Sequence, residues 1–327
     1  MNTGLRISAF AAAIVATFGT AYGVGASIGP VVAEKPPAAH DKHEEARGDE
    51  EGHDGGADEG GAANAAAGGL QISEGGYTLA LDTPRVAAGK STVLRFSVKD
   101  DSGRNLTSYE REHGKELHFI VASRDLTVYR HLHPTRAGDG TWSVAAKLPA
   151  AGGYRAFADF KPAGKGATGI TLGADLAVSG TSEPAALPPV RASAEVDGYR
   201  VTLDGALTPG KARELKLTVS KDGKPVTDLQ PYLGAYGHLV ALRAGDLAYL
   251  HVHPNGEPDD GVTEPGPEVS FTATAPSSGA YRLFLDFQHK GEVRTAAFTV
   301  DVPAAGAGES KESEESGESG EGESHGH

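Results

Sequence analysis

The sequence predicts an all-β chain made of two tandem copies of one sandwich domain. Three observations carry this expectation. The 45 Gly and 19 Pro lie among short runs rich in Val, Leu, Phe and Tyr. Amphipathic helical periodicity is scarce, and the chain aligns on itself between about residues 70 and 302.

Taken in order, residues 7–33 carry no charged side chain and lie directly after Arg6. A run of 27 such residues is long enough to span a bilayer as a helix. The preceding arginine keeps its N-terminal side in the cytoplasm and exports the chain beyond residue 33. Two readings of residues 1–33 stand: a cleaved signal peptide, since Val24-Gly25-Ala26 and Val31-Val32-Ala33 offer small-residue cleavage sites, or a single-pass anchor. Residues 34–69 and 303–327 are read as disordered acidic segments, too poor in apolar side chains to offset chain entropy.

Between them lie domain 1 (70–180), a Pro-rich linker (181–190) and domain 2 (191–302). Gly76–Asp82 matches Gly198–Asp204, and Tyr154–Phe160 matches Tyr281–Phe287. Strands are expected near 77–81, 91–99, 116–122, 127–132, 142–147, 153–160 and 172–178, with equivalents in the second copy. Seven strands in about 105 residues suit an immunoglobulin-like sandwich, with Tyr154 and Tyr281 as tyrosine corners.

Charge and composition narrow the function. The net charge of −14 resides in the flanks, because residues 34–59 and 301–327 contribute −7 each. The repeats are near neutral, so the basic surface that nucleic acid requires is missing. With no Cys and Met1 as the single methionine, thiolate and Met-rich metal sites are excluded, and any metal must be held by imidazole and carboxylate.

One segment carries chemistry. His118–Pro134 aligns without gaps to His238–Pro254, and three of the five identical positions are histidine: His118/His238, His131/His251 and His133/His253. Read as a hairpin turning between Arg124 and Asp125, the segment puts His118 across from His131, with His133 on the same face. The same arithmetic groups His238, His251 and His253, which predicts one site per repeat. Asp159 and Asp286, on the sixth strand of each copy, are the carboxylates expected to complete them. His113 lacks a counterpart, since Leu233 occupies that position, and is left out; His289 aligns with Pro162 and is read as surface. The histidines of the flanks (His40, His43, His53, His325, His327) form a second, softer cation-catching signal.

The run His131-Leu132-His133-Pro134, with Asp139–Ser143, Leu148-Pro149 and Gly153–Phe160, resembles extracytoplasmic heavy-metal-related immunoglobulin-like proteins of high-GC Gram-positive bacteria. A looser similarity, to the copper-resistance protein C family, implies a β-sandwich binding Cu(II) through His and Asp. These modules lack that family's free N-terminal His, so its ligand set does not transfer.

The expected function is extracytoplasmic binding and buffering of a divalent metal, Cu(II) by preference or Zn(II), by a secreted or membrane-anchored protein. Expected partners are metal ions, the membrane through the N-terminal helix where uncleaved, and a metal transporter or chaperone, not nucleic acid. Two alternatives stand beside it: a metal-free cell-surface adhesion or scaffold module, and a metal-dependent hydrolase or redox enzyme. No Gly-x-Ser-x-Gly, His-Glu-x-x-His or paired-carboxylate motif supports the enzyme.

Overall fold

The computed structural model describes residues 67–250 and 252–304. The anchor or signal segment, the 34–66 part of the acidic tether, His251 and the tail from residue 305 lie outside the described residues.

Repeat 1 contains β1 (Ser73–Glu74), β2 (Tyr77–Leu81), β3 (Arg85–Ala87), β4 (Ser91–Lys99), β5 (Tyr109–Glu110), β6 (Leu117–Ser123), β7 (Tyr129–Leu132), β8 (Thr135–Arg136), β9 (Thr141–Lys147), β10 (Gly152–Pro162) and β11 (Ile170–Ser179). Repeat 2 contains β12 (Ser193–Val196), β13 (Tyr199–Asp204), β14 (Ala212–Lys221), β15 (Lys224–Pro225), β16 (His238–Arg243), β17 (Tyr249–Leu250), β18 (Val252–Pro254), β19 (Glu268–Thr274), β20 (Gly279–His289) and β21 (Glu292–Val302). All seven strands expected in the first copy are present, displaced at their ends by two residues at most.

Each repeat is an immunoglobulin-like sandwich of two sheets. In repeat 1 the orders are β1-β2-β4-β9-β8 and β3-β11-β10-β6-β7; in repeat 2 they are β12-β13-β14-β19-β18 and β17-β16-β20-β21. Leu79, Phe96, Phe119, Trp142 and Tyr154 fill the first core, and Val201, Leu217, Phe271, Tyr281 and Phe298 the second. The tyrosine corners form: Tyr154 Oη donates to Ala150 O, and Tyr281 Oη to Ser277 O, each at 2.8 Å.

A third apolar cluster joins the repeats. Side chains on a strand alternate between faces. Phe119 and Val121 of β6 therefore enter their own core, while Ile120 and Ala122 point away from it. They meet Tyr129, Phe157, Val240, Leu242, Tyr249 and Phe284, so the inner sheets of both repeats pack face to face. All seven residues of β6 are buried as a result. Tyr129 stacks on Phe284 with ring centroids 4.1 Å apart and planes within 5°. The Pro-rich linker thus joins modules that share an interface.

Removing that stack tests the interface. Phe284, 2% exposed, is expected to cost about 3–5 kcal/mol when replaced by Ala. Calorimetry should show one unfolding transition for the native chain and two for Phe284→Ala, because the shared core is what couples the repeats.

Candidate metal centre

The shared interface also carries polar side chains. On β6 and β7, His118 and His131 lie on the same face as Ile120 and Tyr129, with His133 directly after β7; on β16 and β20, His238 and Asp286 lie on the same face as Val240 and Phe284. Docking the inner sheets therefore brings histidines of both repeats together. Ligand atoms of His118, His131 and His238 all lie within 4.8 Å of one another. His133 joins the group, its ring centroid 4.8 Å from that of His131, and His118 stacks on His238 at 5.3 Å.

Hydrogen-bond accounting gives the cluster its character. His118 Nε2 faces the Glu112 carbonyl at 3.3 Å, and a carbonyl only accepts, so Nε2 carries the proton. His131 Nδ1 donates to Asp286 Oδ2 at 2.9 Å. In their neutral forms both rings then present an unprotonated nitrogen, His118 Nδ1 and His131 Nε2, and these face each other at 3.1 Å. Two lone pairs at that distance repel unless a proton or a metal cation lies between them. Two further ring nitrogens, His238 Nδ1 and His133 Nε2, are buried with no hydrogen-bond partner among the described residues.

Burial keeps His118, His133 and His238 neutral. Desolvation, followed by the charge of His131, lowers the His118 pKa to about 4. Desolvation with His131 and His118 lowers that of His133 to about 3, and the same causes push the half-buried His238 well below the ordinary imidazole value. Neutral imidazole is the metal-binding form, so little proton displacement opposes binding.

The hairpin turn is centred one residue later than expected, between Asp125 and Leu126. Ile120 pairs with His131 and Ala122 with Tyr129, so His118 is two residues out of the expected register with His131. A shift of two keeps the same face, and the rings still meet. Asp159 and Asp286 pair across the sheet with His118 and His238. Neither carboxylate lies among the closest convergent ligand atoms. Asp286 orients His131 and also accepts from Thr295 Oγ1, while Asp159 accepts from Thr171 Oγ1 at 2.8 Å.

The second repeat departs most from expectation. After Leu250 the chain leaves the inner sheet, and β18 pairs with β19 of the outer one, His253 opposite Thr272. His238 therefore joins the histidines of repeat 1, and His253 does not complete a set beside it. Instead His253 lines a cavity of ≈ 320 Å³ with Glu112, His113, Asp159 and Glu257 that reaches His118. His113, omitted on sequence grounds, has its ring 6.1 Å from both His118 and His238. Its signal was a histidine in a His-Gly turn five residues before His118. His289 is not on the surface: at 4% exposure it accepts from Tyr199 Oη at 2.6 Å and donates to Asp228 at 2.9 Å.

Among solved structures, the chain is similar to the Escherichia coli adhesin FdeC (15% identity, 71% of this chain, 65% of that chain, TM-score 0.22). It is also similar to invasin, a bacterial integrin-binding protein (13%, 72% and 41%, 0.21), and to domains 4–9 of surface layer protein SbsC (14%, 70% and 31%, 0.22). The chain spans less than two thirds of the length of each, and a likeness this slight transfers neither ligand nor partner. No curated protein matches the chain. The resemblance to heavy-metal-related and copper-resistance proteins finds no support in these comparisons. A family match covers residues 71–171 and 194–304, once per repeat, and the chain accordingly belongs to the family described as Domain of unknown function (DUF8832).

Proposed function

We propose that the two repeats together bind one divalent transition-metal ion, Cu(II) or Zn(II), at the His118–His131–His238 centre, with His133 as fourth donor. The observation that carries this reading is the approach of His118 Nδ1 and His131 Nε2 to 3.1 Å, beside the partnerless buried ring nitrogens of His133 and His238. Metal–nitrogen bonds of about 2.0–2.1 Å in a tetrahedral site put donor atoms roughly 3.3 Å apart. That pair already meets the requirement, and His238, within 4.8 Å, needs a side-chain movement of roughly 1.5 Å or less. The mouth formed by Glu112, His113, His253 and Glu257 supplies an entry path.

Four imidazoles close the coordination sphere, which fits binding and buffering rather than turnover, since a catalytic zinc keeps a position open. The uncharged run 7–33 after Arg6 favours action outside the cytoplasm, tethered or secreted, with a metal transporter or chaperone as protein partner. A second reading, a metal-free surface adhesion or scaffold module, is favoured by the apolar interface, which fuses the repeats without any ion. On that reading the histidines are packing groups.

Stoichiometry separates the two readings. The metal reading expects one high-affinity Cu(II) or Zn(II) per folded chain by equilibrium dialysis, not the two expected from the repeat. His118→Ala and His238→Ala should each abolish it although they lie in different repeats, whereas His253→Ala should leave the stoichiometry unchanged. Tight binding that survives both of the first substitutions sinks the interface site.

Proton competition gives an independent measure. With His118 lowered to about 4, His133 to about 3 and His238 pushed well below the ordinary imidazole value, these three rings should release almost no protons on binding metal between pH 7 and 5. Three ordinary imidazoles would displace up to three. A pH titration of the Zn(II) affinity reads this slope directly. The apo protein behaves differently: His118 and His133 bind protons near 6.5 when unfolded but only near 4 and 3 when folded. The stability they lend is whole above pH 6.5 and is lost as pH falls toward 4, on the order of 3 kcal/mol for His118 alone. Melting temperatures from pH 7.5 to 4 check the sign.

A further inference from the structure

The repeats differ at one edge of the interface. In repeat 1 the segment Gly68–Gln71 lies along the outer edge of β11, with Gly69 N–H donating to Thr171 O and Gly173 N–H to Gln71 O, each at 2.8 Å. Gly68 also exchanges hydrogen bonds with Tyr249, so this strap joins β11 of one repeat to β17 of the other. Arg155 anchors it, giving its guanidinium to Gly69 O, Leu70 O and Gly173 O, with Asp175 as counter-ion at 3.0 Å.

In repeat 2 the equivalent residues line an open groove of ≈ 690 Å³. Arg282 stands for Arg155, Thr295 for Thr171, Ala297 for Gly173 and Thr299 for Asp175, as the pairings of β20 with β21 and of β10 with β11 define. A Cβ at Gly173 would lie 2.0 Å from Gly69 O, so the methyl of Ala297 bars the same path. The lead-in of repeat 2 bonds higher up, Arg191 N–H to Thr299 O at 3.2 Å. Arg282 is left 7% exposed, with Thr299 in place of a carboxylate, and its Nε is buried with no partner among the described residues. A buried guanidinium without a counter-ion is costly.

We propose that this groove takes an acidic extended segment, and that its occupant is the chain's own C-terminal tail around Glu309–Glu315. The tail begins after Val302, the last residue of β21, and residues 303–327 carry seven acids against one lysine. From Val302 back to Thr295 is about 23 Å along the strand. Pro303 to Gly308, mostly Ala and Gly, allow the chain to reverse after β21, and the seven residues Glu309 to Glu315 can then run back over Thr299 to Thr295. The Ala297 methyl holds an occupant off the sheet, so Arg282 is met by a side-chain carboxylate where Arg155 meets a carbonyl, and Arg191 adds charge at the rim.

The chain has no cysteine, so Ser310→Cys places a single spin label on the tail of the otherwise intact protein. The expected result is paramagnetic loss of the Thr295, Ala297 and Thr299 amide signals. The signals should return when Glu309, Glu312, Glu314 and Glu315 are all changed to Gln, and in 1 M salt. Arg282→Met should restore them as well, while the tail variant guards against any effect of that change on folding. Unbroadened signals in the labelled native chain overturn the proposal. So does broadening that appears when the labelled and observed chains are different molecules, which would assign the groove to a second copy.

Discussion

Everything distinctive in this protein stems from burying the inner sheets of the two repeats against each other. A sandwich normally turns one face of each sheet to water, and polar side chains on that face are solvated. Here β6, β10, β16 and β20 are buried on both faces, so each polar group on their interface side must find a partner inside the protein. Arg155 finds three carbonyls and Asp175, Asp159 finds Thr171, and Asp286 finds Thr295 and His131. The ring nitrogens of His133 and His238 and the guanidinium Nε of Arg282 are not satisfied in this way. Tyr129 Oη, in the same interface, is a further exception among the described residues, and the two proposed binding sites are built around the other three.

Much of this was legible in the sequence, and the limits have physical causes. The strands were readable because alternation and Gly-rich turns are local. The tyrosine corners were readable because their hydrogen bonds span only four residues. Burial on both faces was also written in the uninterrupted apolar runs Phe119–Ala122 and Leu239–Leu242, which a strand open to water on one side does not need.

The histidine spacing indicated that His118, His131 and His133 share a face, but not which rings converge. Convergence depends on how the repeats dock and on where each chain changes sheet, and neither is local. In repeat 1 the chain stays with the inner sheet through Leu132; in repeat 2 it leaves after Leu250, the equivalent of Arg130. That difference of two residues carries His253 to the outer sheet. His113 escaped notice because it sits in a turn and has no counterpart in the second copy.

The asymmetry between the copies has an electrostatic rationale. Faithful duplication would place two metal centres around the stacked pair His118 and His238, whose rings are 5.3 Å apart. Two dications at about that separation repel by roughly 10 kcal/mol even at an effective dielectric of about 20. Dinuclear sites tolerate such proximity when carboxylates bridge the ions. Here Asp159 is engaged by Thr171 and Asp286 by Thr295 and His131, and neither is placed to bridge. A docked duplicate with these carboxylates is therefore compatible with one ion on the shared face and not with two. Under the proposed metal reading, the early departure of the second copy from the inner sheet removes His253, a ligand that a second ion would need.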